Sequence, residues 1–128
     1  MKLIIGGAFQ GKTDYAERRF HLSASDWADG AVCSGEDLFR KKGIRHFHEW
    51  VRRQLEKGED ITDLAEELAD QNPDVVIVTN ELGYGIVPMD RFDRMYREAE
   101  GRLCTQLAAL SDEVCRVVCG CGQIIKKE

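Results

Sequence analysis

Several short apolar runs in the chain predict buried strands of a sheet. Residues 2–5 read "KLII" and residues 74–78 read "DVVIV". Unbroken runs of this kind, rich in β-branched residues, are typical of strands that are covered on both faces. Residues 113–120, "EVCRVVCG", predict a further strand, and residues 123–127, "QIIKK", predict a last one.

Other segments carry the spacing of amphipathic helices. In residues 90–110 the apolar side chains recur every three or four positions, at Phe92, Met95, Tyr96, Ala99, Leu103, Leu107 and Leu110. The same period predicts shorter helices at 12–22, 46–57 and 61–70. Between these elements we interpret residues 23–30 as a polar turn, 31–34 ("AVCS") as a second strand, and 83–88 ("GYGIVP") as a loop.

Strands therefore alternate with helices along the whole chain. This order is typical of an α/β fold with a mostly parallel sheet and helices on both faces. With 128 residues, the length fits one domain of ordinary size. We predict a single α/β domain over residues 1–128.

Composition and charge argue against several classes of function and location. The net charge of −5 and the pI of about 5.3 argue against general nucleic-acid binding. The longest plain apolar stretch, Val75–Val78, is far below the ~20 residues that span a bilayer. The apolar start "MKLII" is too short for a signal peptide, and we expect a cytoplasmic protein.

The junction of the first strand and the first helix carries a phosphate-binding motif. Its sequence is "GGAFQGKT", that is Gly6, Gly7, Ala8, Phe9, Gln10, Gly11, Lys12 and Thr13, and it matches the P-loop pattern GxxxxGK[ST]. Backbone N–H groups of such a loop surround a polyphosphate, and the helix that follows points its partial positive end at the anion. Lys12 is predicted to reach the outer phosphates of ATP or GTP, and the Thr13 hydroxyl to ligate Mg²⁺.

A P-loop protein needs an acidic group near the metal, after a neighbouring strand. Glu81, which follows the strand 74–78 closely, is the first candidate for organising Mg²⁺ or its water. Glu36 and Asp37, after the weaker second strand, are alternatives. Glu81 as an ordinary solvated carboxylate is the competing interpretation.

Two long motifs give a resemblance to a known family. Residues 78–88 read "VTNELGYGIVP" and residues 96–126 read "YREAEGRLCTQLAALSDEVCRVVCGCGQIIK". Together with the phosphate loop they resemble the adenosylcobinamide kinase / adenosylcobinamide-phosphate guanylyltransferase family, whose patterns are GGxxSGKS, V(S/T)NE(V/L)GxGIVP and FRDxxGRxNQxLAxxADEVxxVVxGxPxxIK. Arg97 matches the arginine of the FRD element, and the resemblance implies that it contacts phosphate or a neighbouring subunit.

The resemblance implies a RecA-like sheet and a role in assembling the nucleotide loop of cobalamin. In that family a nucleoside triphosphate phosphorylates the aminopropanol hydroxyl of adenosylcobinamide. GTP then donates GMP through a histidine–GMP intermediate. The implied partners are a corrinoid substrate and a nucleotide, and the implied assembly is a homo-oligomer, often a trimer.

The chain departs from the family pattern in three places. The segment between the phosphate loop and "VTNE" is shorter, and a DCLTxWxxNL-like stretch is not found in it. Cys104 and Thr105 replace the Asn-Gln pair of GRxNQ. The family histidine lies in a pattern like RIxxHxxxR, whereas this chain reads "GIRHFHEWVRR".

That last segment offers two histidines as the guanylyl acceptor, His46 and His48. Arg52 lies four residues after His48, which slightly favours His48. On one helix the two rings would point about 200° apart, so we expect that they share neither a substrate nor a metal. Arg45, Arg52 and Arg53 are close enough in sequence to offset charge at a phosphate, and two surface histidines on a basic helix are the competing interpretation.

The five cysteines are odd in number and form no CxxC pair. We predict free, buried thiols of a reducing compartment. Cys115, Cys119 and Cys121 share the parity of one strand, and a metal site there is the alternative.

Three functions are compatible with these observations. The first is a kinase, and further a guanylyltransferase, with Lys12, Glu81 and one of the histidines in catalysis. The second is a nucleotide-binding module without catalysis. The third is a P-loop kinase of another small alcohol.

Overall fold

The computed structural model describes residues 1–81 and 90–128. The predicted loop at 83–88 lies outside the described residues. The strands are β1 Lys2–Gly6, β2 Trp27–Asp29, β3 Gly43–Arg45, β4 Val76–Asn80, β5 Glu113–Val118 and β6 Cys121–Lys127. The helices are α1 Lys12–Phe20, α2 Gly35–Arg40, α3 Phe47–Glu56, α4 Leu64–Gln71 and α5 Arg91–Leu110, with a 3₁₀ turn at Ala24–Asp26.

The strands form one sheet in the order β2-β3-β4-β1-β5-β6. All neighbours run parallel except β5 and β6, which pair as an antiparallel hairpin. The predicted α/β class with a mostly parallel sheet is therefore confirmed.

Alternate residues of the strands face two apolar clusters. Leu3 and Ile77 face the side on which α3, α4 and α5 pack, around the fully buried Phe47. Ile4 and Val78 face the opposite side, which α1 covers through Ala16. Consecutive strand residues such as Leu3 and Ile4, or Ile77 and Val78, are both buried. Helices cover both faces of the sheet, as the continuous apolar runs predict.

The region between α1 and α3 differs from the prediction. Residues 31–34 are not a strand: they lie in turn and irregular backbone, and Val32 is largely exposed. The second strand is instead β2, inside the stretch interpreted as a turn, and β3 and α2 carry no clear sequence pattern. Strands of three residues depend on pairing with neighbours rather than on their own propensity, which is why local sequence did not reveal them.

The cysteines are free, as predicted, but their burial is mixed. Cys33 and Cys115 are buried, whereas Cys119 and Cys121 are exposed. Cys119 lies in the turn between β5 and β6 rather than on a strand, so the three C-terminal cysteines do not share one face. In the part of the chain that the structure describes, no group of three potential ligands is placed to hold a metal ion.

No helix within residues 1–81 or 90–128 combines the length and apolar character required to cross a membrane.

Candidate functional site

A cleft lies at the edge of the sheet where the parallel strands end. Its volume is about 340 Å³, and ligands of open α/β sheets bind at this edge. The cleft is lined by Ala8, Phe9, Gln10, Gly11, Lys12, Thr13, His46, His48, Val78, Thr79 and Asn80. These residues come from the loop after β1, from the segment after β3, and from the end of β4.

The predicted phosphate loop forms the floor of this cleft. It leaves β1 at Gly6, where a Cβ would lie 2.6 Å from the carbonyl oxygen of Val117. It enters α1 at Gly11, whose φ of 80° is strained for residues with a side chain. The close approach at Gly6 and the left-handed residue at Gly11 explain why the loop has glycine at these two positions.

Lys12 is folded into the loop. Its Nζ donates to the carbonyl oxygen of Gly7 at 2.6 Å, and the side chain is buried. Burial lowers the pKa of Lys12, and the carboxylate of Glu81 partly opposes that shift. An anion in the loop offers this ammonium group a stronger partner than a neutral carbonyl.

The hairpin of β5 and β6 braces the loop through Gln10. The Oε1 atom of Gln10 accepts from the N–H of Cys119 at 2.6 Å, and its backbone carbonyl accepts from the N–H of Gly120 at 2.8 Å. The phosphate loop is therefore fixed to a strand pair far away in sequence. The sequence motif contained no indication of this role.

Replacing Gln10 by leucine should weaken nucleotide binding about three- to tenfold, because a net hydrogen bond is worth about 0.5–1.5 kcal/mol and its loss loosens the loop. Calorimetric titration with ATP and Mg²⁺ measures the effect. Gln123→Leu, on the exposed face of the same hairpin, is the matched control. Equal affinities for wild type and Gln10→Leu would contradict the bracing role.

Glu81 lies directly after β4 and beside the loop. Its N–H donates to the carbonyl oxygen of Gly6 at 2.8 Å, and its Oε1 is 3.2 Å from Nε of Arg116. Its Oε2 is buried and finds no hydrogen-bond partner among residues 1–81 and 90–128. A buried carboxylate oxygen without a partner is suited to a hard cation or its water, so the residues present fit Mg²⁺.

The alternative acids lie elsewhere. Glu36 and Asp37 belong to the first turn of α2, and Glu36 pairs with Arg40 on the exposed surface. Neither these two acids nor Glu81 is among the described residues that line the cleft, but Glu81 adjoins the loop through its N–H bond to Gly6. Of the three acids proposed from sequence, the structure brings Glu81 to the phosphate loop.

His46 does not lie on a helix, contrary to the prediction. It is the residue before α3, with a left-handed φ of 52°. His48 lies inside α3, and the two ring centroids are 6.1 Å apart in an edge-to-face arrangement. Both rings line the same cleft, so the expected separation of about 200° was wrong because it assumed helical geometry at His46.

Asp29, at the end of β2, orients His46. Its Oδ1 lies 3.0 Å from Nδ1 of His46. Burial opposes ionisation of Asp29, but the bonds from His46 and the Ala31 N–H, together with the charge of Arg45, outweigh it and lower the pKa of this carboxyl. An ionised carboxylate only accepts, so Nδ1 of His46 donates to Asp29, and in the neutral ring the lone pair is on Nε2. The His46 side chain is 53% exposed.

His48 is buried, and its ring carries the proton on the other nitrogen. Its Nδ1 accepts from the N–H of Asn80 at 3.2 Å, and its carbonyl oxygen accepts from the Tyr96 hydroxyl at 2.8 Å. Burial, with His46 and Lys12 nearby, lowers the pKa of His48 to about 4. The ring is therefore neutral near pH 7, with its proton on Nε2, and it links α3 to β4 and α5.

This burial predicts a pH dependence of stability. The pKa of His48 falls from its ordinary value of 6.5 to about 4 in the folded chain, so the unfolded chain binds the proton first. The free energy of unfolding is therefore highest above pH 6.5 and decreases as the pH falls toward 4. At pH 5 the decrease amounts to about 2 kcal/mol.

Urea unfolding between pH 7.5 and 5 measures this loss. His48→Asn keeps an acceptor for the Asn80 N–H and has no titrating ring, so its stability should fall less. His21→Asn removes an exposed histidine and should follow the wild type. Parallel curves for wild type and His48→Asn would contradict the assignment.

The arginines near these histidines serve other contacts. Arg53 donates to the carbonyl oxygens of Gly30 and Cys33 at 2.9 and 3.0 Å. Arg52 pairs with Glu56, and Arg45 lies 3.9 Å from Asp29. Arg97 is half-buried on α5. None of these four is among the described residues that line the cleft.

Comparison with known proteins adds independent information. A family model described as "Cobinamide kinase / cobinamide phosphate guanyltransferase" matches residues 38–125. The "bifunctional adenosylcobalamin biosynthesis protein CobU" of Salmonella typhimurium (strain LT2) and that of Escherichia coli (strain K12) are each 54% identical to this chain over 52 residues. Those residues are 41% of this chain and 29% of each relative, so the match spans less than a third of their length.

Proposed function

This chain belongs to the cobinamide kinase / cobinamide phosphate guanyltransferase family, and we propose that it transfers phosphoryl and guanylyl groups from nucleoside triphosphates to adenosylcobinamide and its phosphate. The observation that carries this proposal is the cleft in which the phosphate loop and the Asp29-oriented ring of His46 meet. A nucleotide-binding module without catalysis has no need of an oriented histidine there.

The phosphoryl-transfer step relies on positioning and charge. The amides of residues 6–13 and the N-terminus of α1 hold the polyphosphate, and the ammonium group of Lys12 stabilises the charge of the transferring group. Thr13 and the Oε2 atom of Glu81, which has no hydrogen-bond partner among the described residues, would hold Mg²⁺, which supplies charge neutralisation when bound. In this step the hydroxyl oxygen of the aminopropanol group of the acceptor bonds to the γ-phosphorus, and the nucleoside diphosphate is released.

The guanylyl-transfer step requires a nucleophile, and we assign it to His46 rather than His48. In the neutral ring of His46 the lone pair is on Nε2, because Asp29 accepts the hydrogen bond from Nδ1–H. Attack on the α-phosphorus of GTP forms the N–P bond and releases pyrophosphate. The phosphate oxygen of adenosylcobinamide phosphate then displaces the histidine and restores the free ring. His48 is buried and acts as the support of His46 and β4.

Radiolabelled nucleotides test the two steps separately. The full chain is incubated with γ-labelled ATP or α-labelled GTP and Mg²⁺, with and without adenosylcobinamide. We expect γ-label on cobinamide and an acid-labile α-label on the protein, which passes to adenosylcobinamide phosphate. Nucleotide binding without transfer to either acceptor would favour a non-catalytic module, and transfer to a different alcohol would favour another kinase.

The use of ATP or GTP with Mg²⁺, homo-oligomer formation and a cytoplasmic location stay predictions. They rest on the resemblance and on composition. Size-exclusion chromatography with light scattering checks the expected trimer.

A further inference from the structure

Phe9, at the tip of the phosphate loop, combines two features that oppose folding. Its side chain is fully exposed, with a fractional exposure of 104%. Its φ of 59° lies in the left-handed region, which is a strained conformation for a bulky side chain. The ring gains no burial inside the chain that offsets either cost.

The position of Phe9 in the loop places its side chain near the γ-phosphate end of a bound nucleotide. It lines the same cleft as Lys12 and His46, and it precedes Lys12 by three residues in the loop. The backbone amides of such a loop face the phosphates, and the lysine reaches the outer ones. A side chain that projects from this loop therefore lies where an acceptor approaches the γ-phosphate, while the nucleobase is joined to the opposite end of the phosphate chain.

We propose that the Phe9 ring is an apolar contact for the acceptor, packing against the flat ring system of a corrinoid, and that it contributes to acceptor specificity. This inference rests on the proposed function. Trp50, on α3, is buried to 8% exposure, with the guanidinium carbon of Arg53 5.1 Å from the centre of its ring. Phe9 presents its ring in the cleft instead.

The test compares acceptor and nucleotide affinities of the same variants. Phe9→Asn removes the ring, and asparagine tolerates the left-handed backbone. Phe9→Tyr keeps an aromatic ring of the same shape. Ile125→Thr changes an exposed apolar side chain on β6, outside the cleft, and is the control.

Titration of adenosylcobinamide into the full chain with Mg²⁺ and a non-hydrolysable ATP analogue should give about tenfold weaker binding for Phe9→Asn. Phe9→Tyr and Ile125→Thr should bind the acceptor within about twofold of wild type. The thermal midpoint of Phe9→Asn should equal or exceed that of wild type, because strain is relieved and no packing is lost.

Each other outcome overturns the inference. Unchanged adenosylcobinamide affinity in Phe9→Asn would reject the contact while leaving the proposed function intact. An equal loss of ATP-analogue affinity would assign the ring to the phosphate cradle instead. A changed subunit stoichiometry with unchanged affinities would assign it to an interface. Wild type that binds the analogue and no corrinoid would reject the proposed function and the contact together.

Discussion

Replacing Lys12 by methionine should lower kcat/KM for the nucleotide by about 10²–10³-fold, the size expected when one preorganised charge is removed from a transferring phosphoryl group. Methionine keeps most of the side-chain volume. Because burial lowers the pKa of Lys12, its ammonium group costs desolvation energy in the folded chain. The thermal midpoint of Lys12→Met should therefore equal or exceed that of wild type.

Steady-state kinetics with the full chain, together with thermal unfolding, check this pair of effects. Lys42→Met is the matched control: the Lys42 side chain is 75% exposed and lies 4.0 Å from Asp26, outside the cleft. Lys42→Met should retain wild-type kinetics. Activity that survives in Lys12→Met would show that the phosphate loop is not the nucleotide site.

Replacing His46 by asparagine should abolish the protein-bound guanylyl label and lower guanylyl transfer by at least about a thousandfold, as expected for loss of a nucleophile. Asparagine tolerates the left-handed φ of 52° at this position, so the start of α3 should persist. Asp29→Asn should lower the labelling rate by about 10–100-fold, because an amide lacks the negative charge of the carboxylate and its NH₂ group can donate to Nδ1, which places the ring proton on Nε2.

The chain offers a closely matched control for this substitution. His21 has a φ of 56° and lies at the end of α1, so His21→Asn makes the same chemical change in the same backbone conformation outside the cleft. Its labelling rate should equal that of wild type. A label that survives in His46→Asn and disappears in His48→Asn would transfer the acceptor role to His48.

The contrast between the two histidines shows how the site depends on tertiary structure. The spacing of His48 and Arg52 favoured His48 from sequence. In the structure His48 is buried, and its Nδ1 accepts from the Asn80 N–H. His46 is half exposed and lies beside Asp29. Because His46 precedes α3 in a left-handed conformation, its ring enters the cleft, and His46 replaces His48 as the proposed guanylyl acceptor.

Local sequence patterns were sufficient to predict the elements whose stability depends on neighbouring residues. The unbroken apolar runs of β1 and β4 and the helical period of α5 predicted these elements, and "GGAFQGKT" placed the phosphate loop between β1 and α1. Such features depend on neighbours within one element, or on glycines that a tight loop requires. The motifs at 78–88 and 96–126 were long enough to indicate the family.

The contacts between distant segments around the loop became visible only in the folded chain. The three-residue strands β2 and β3 exist through pairing in the sheet, and their parallel ends bring Asp29 to His46. The brace from Cys119 and Gly120 to Gln10 likewise joins residues more than a hundred positions apart. These contacts arise because a parallel sheet aligns the ends of strands that are remote in the chain, which no local pattern encodes.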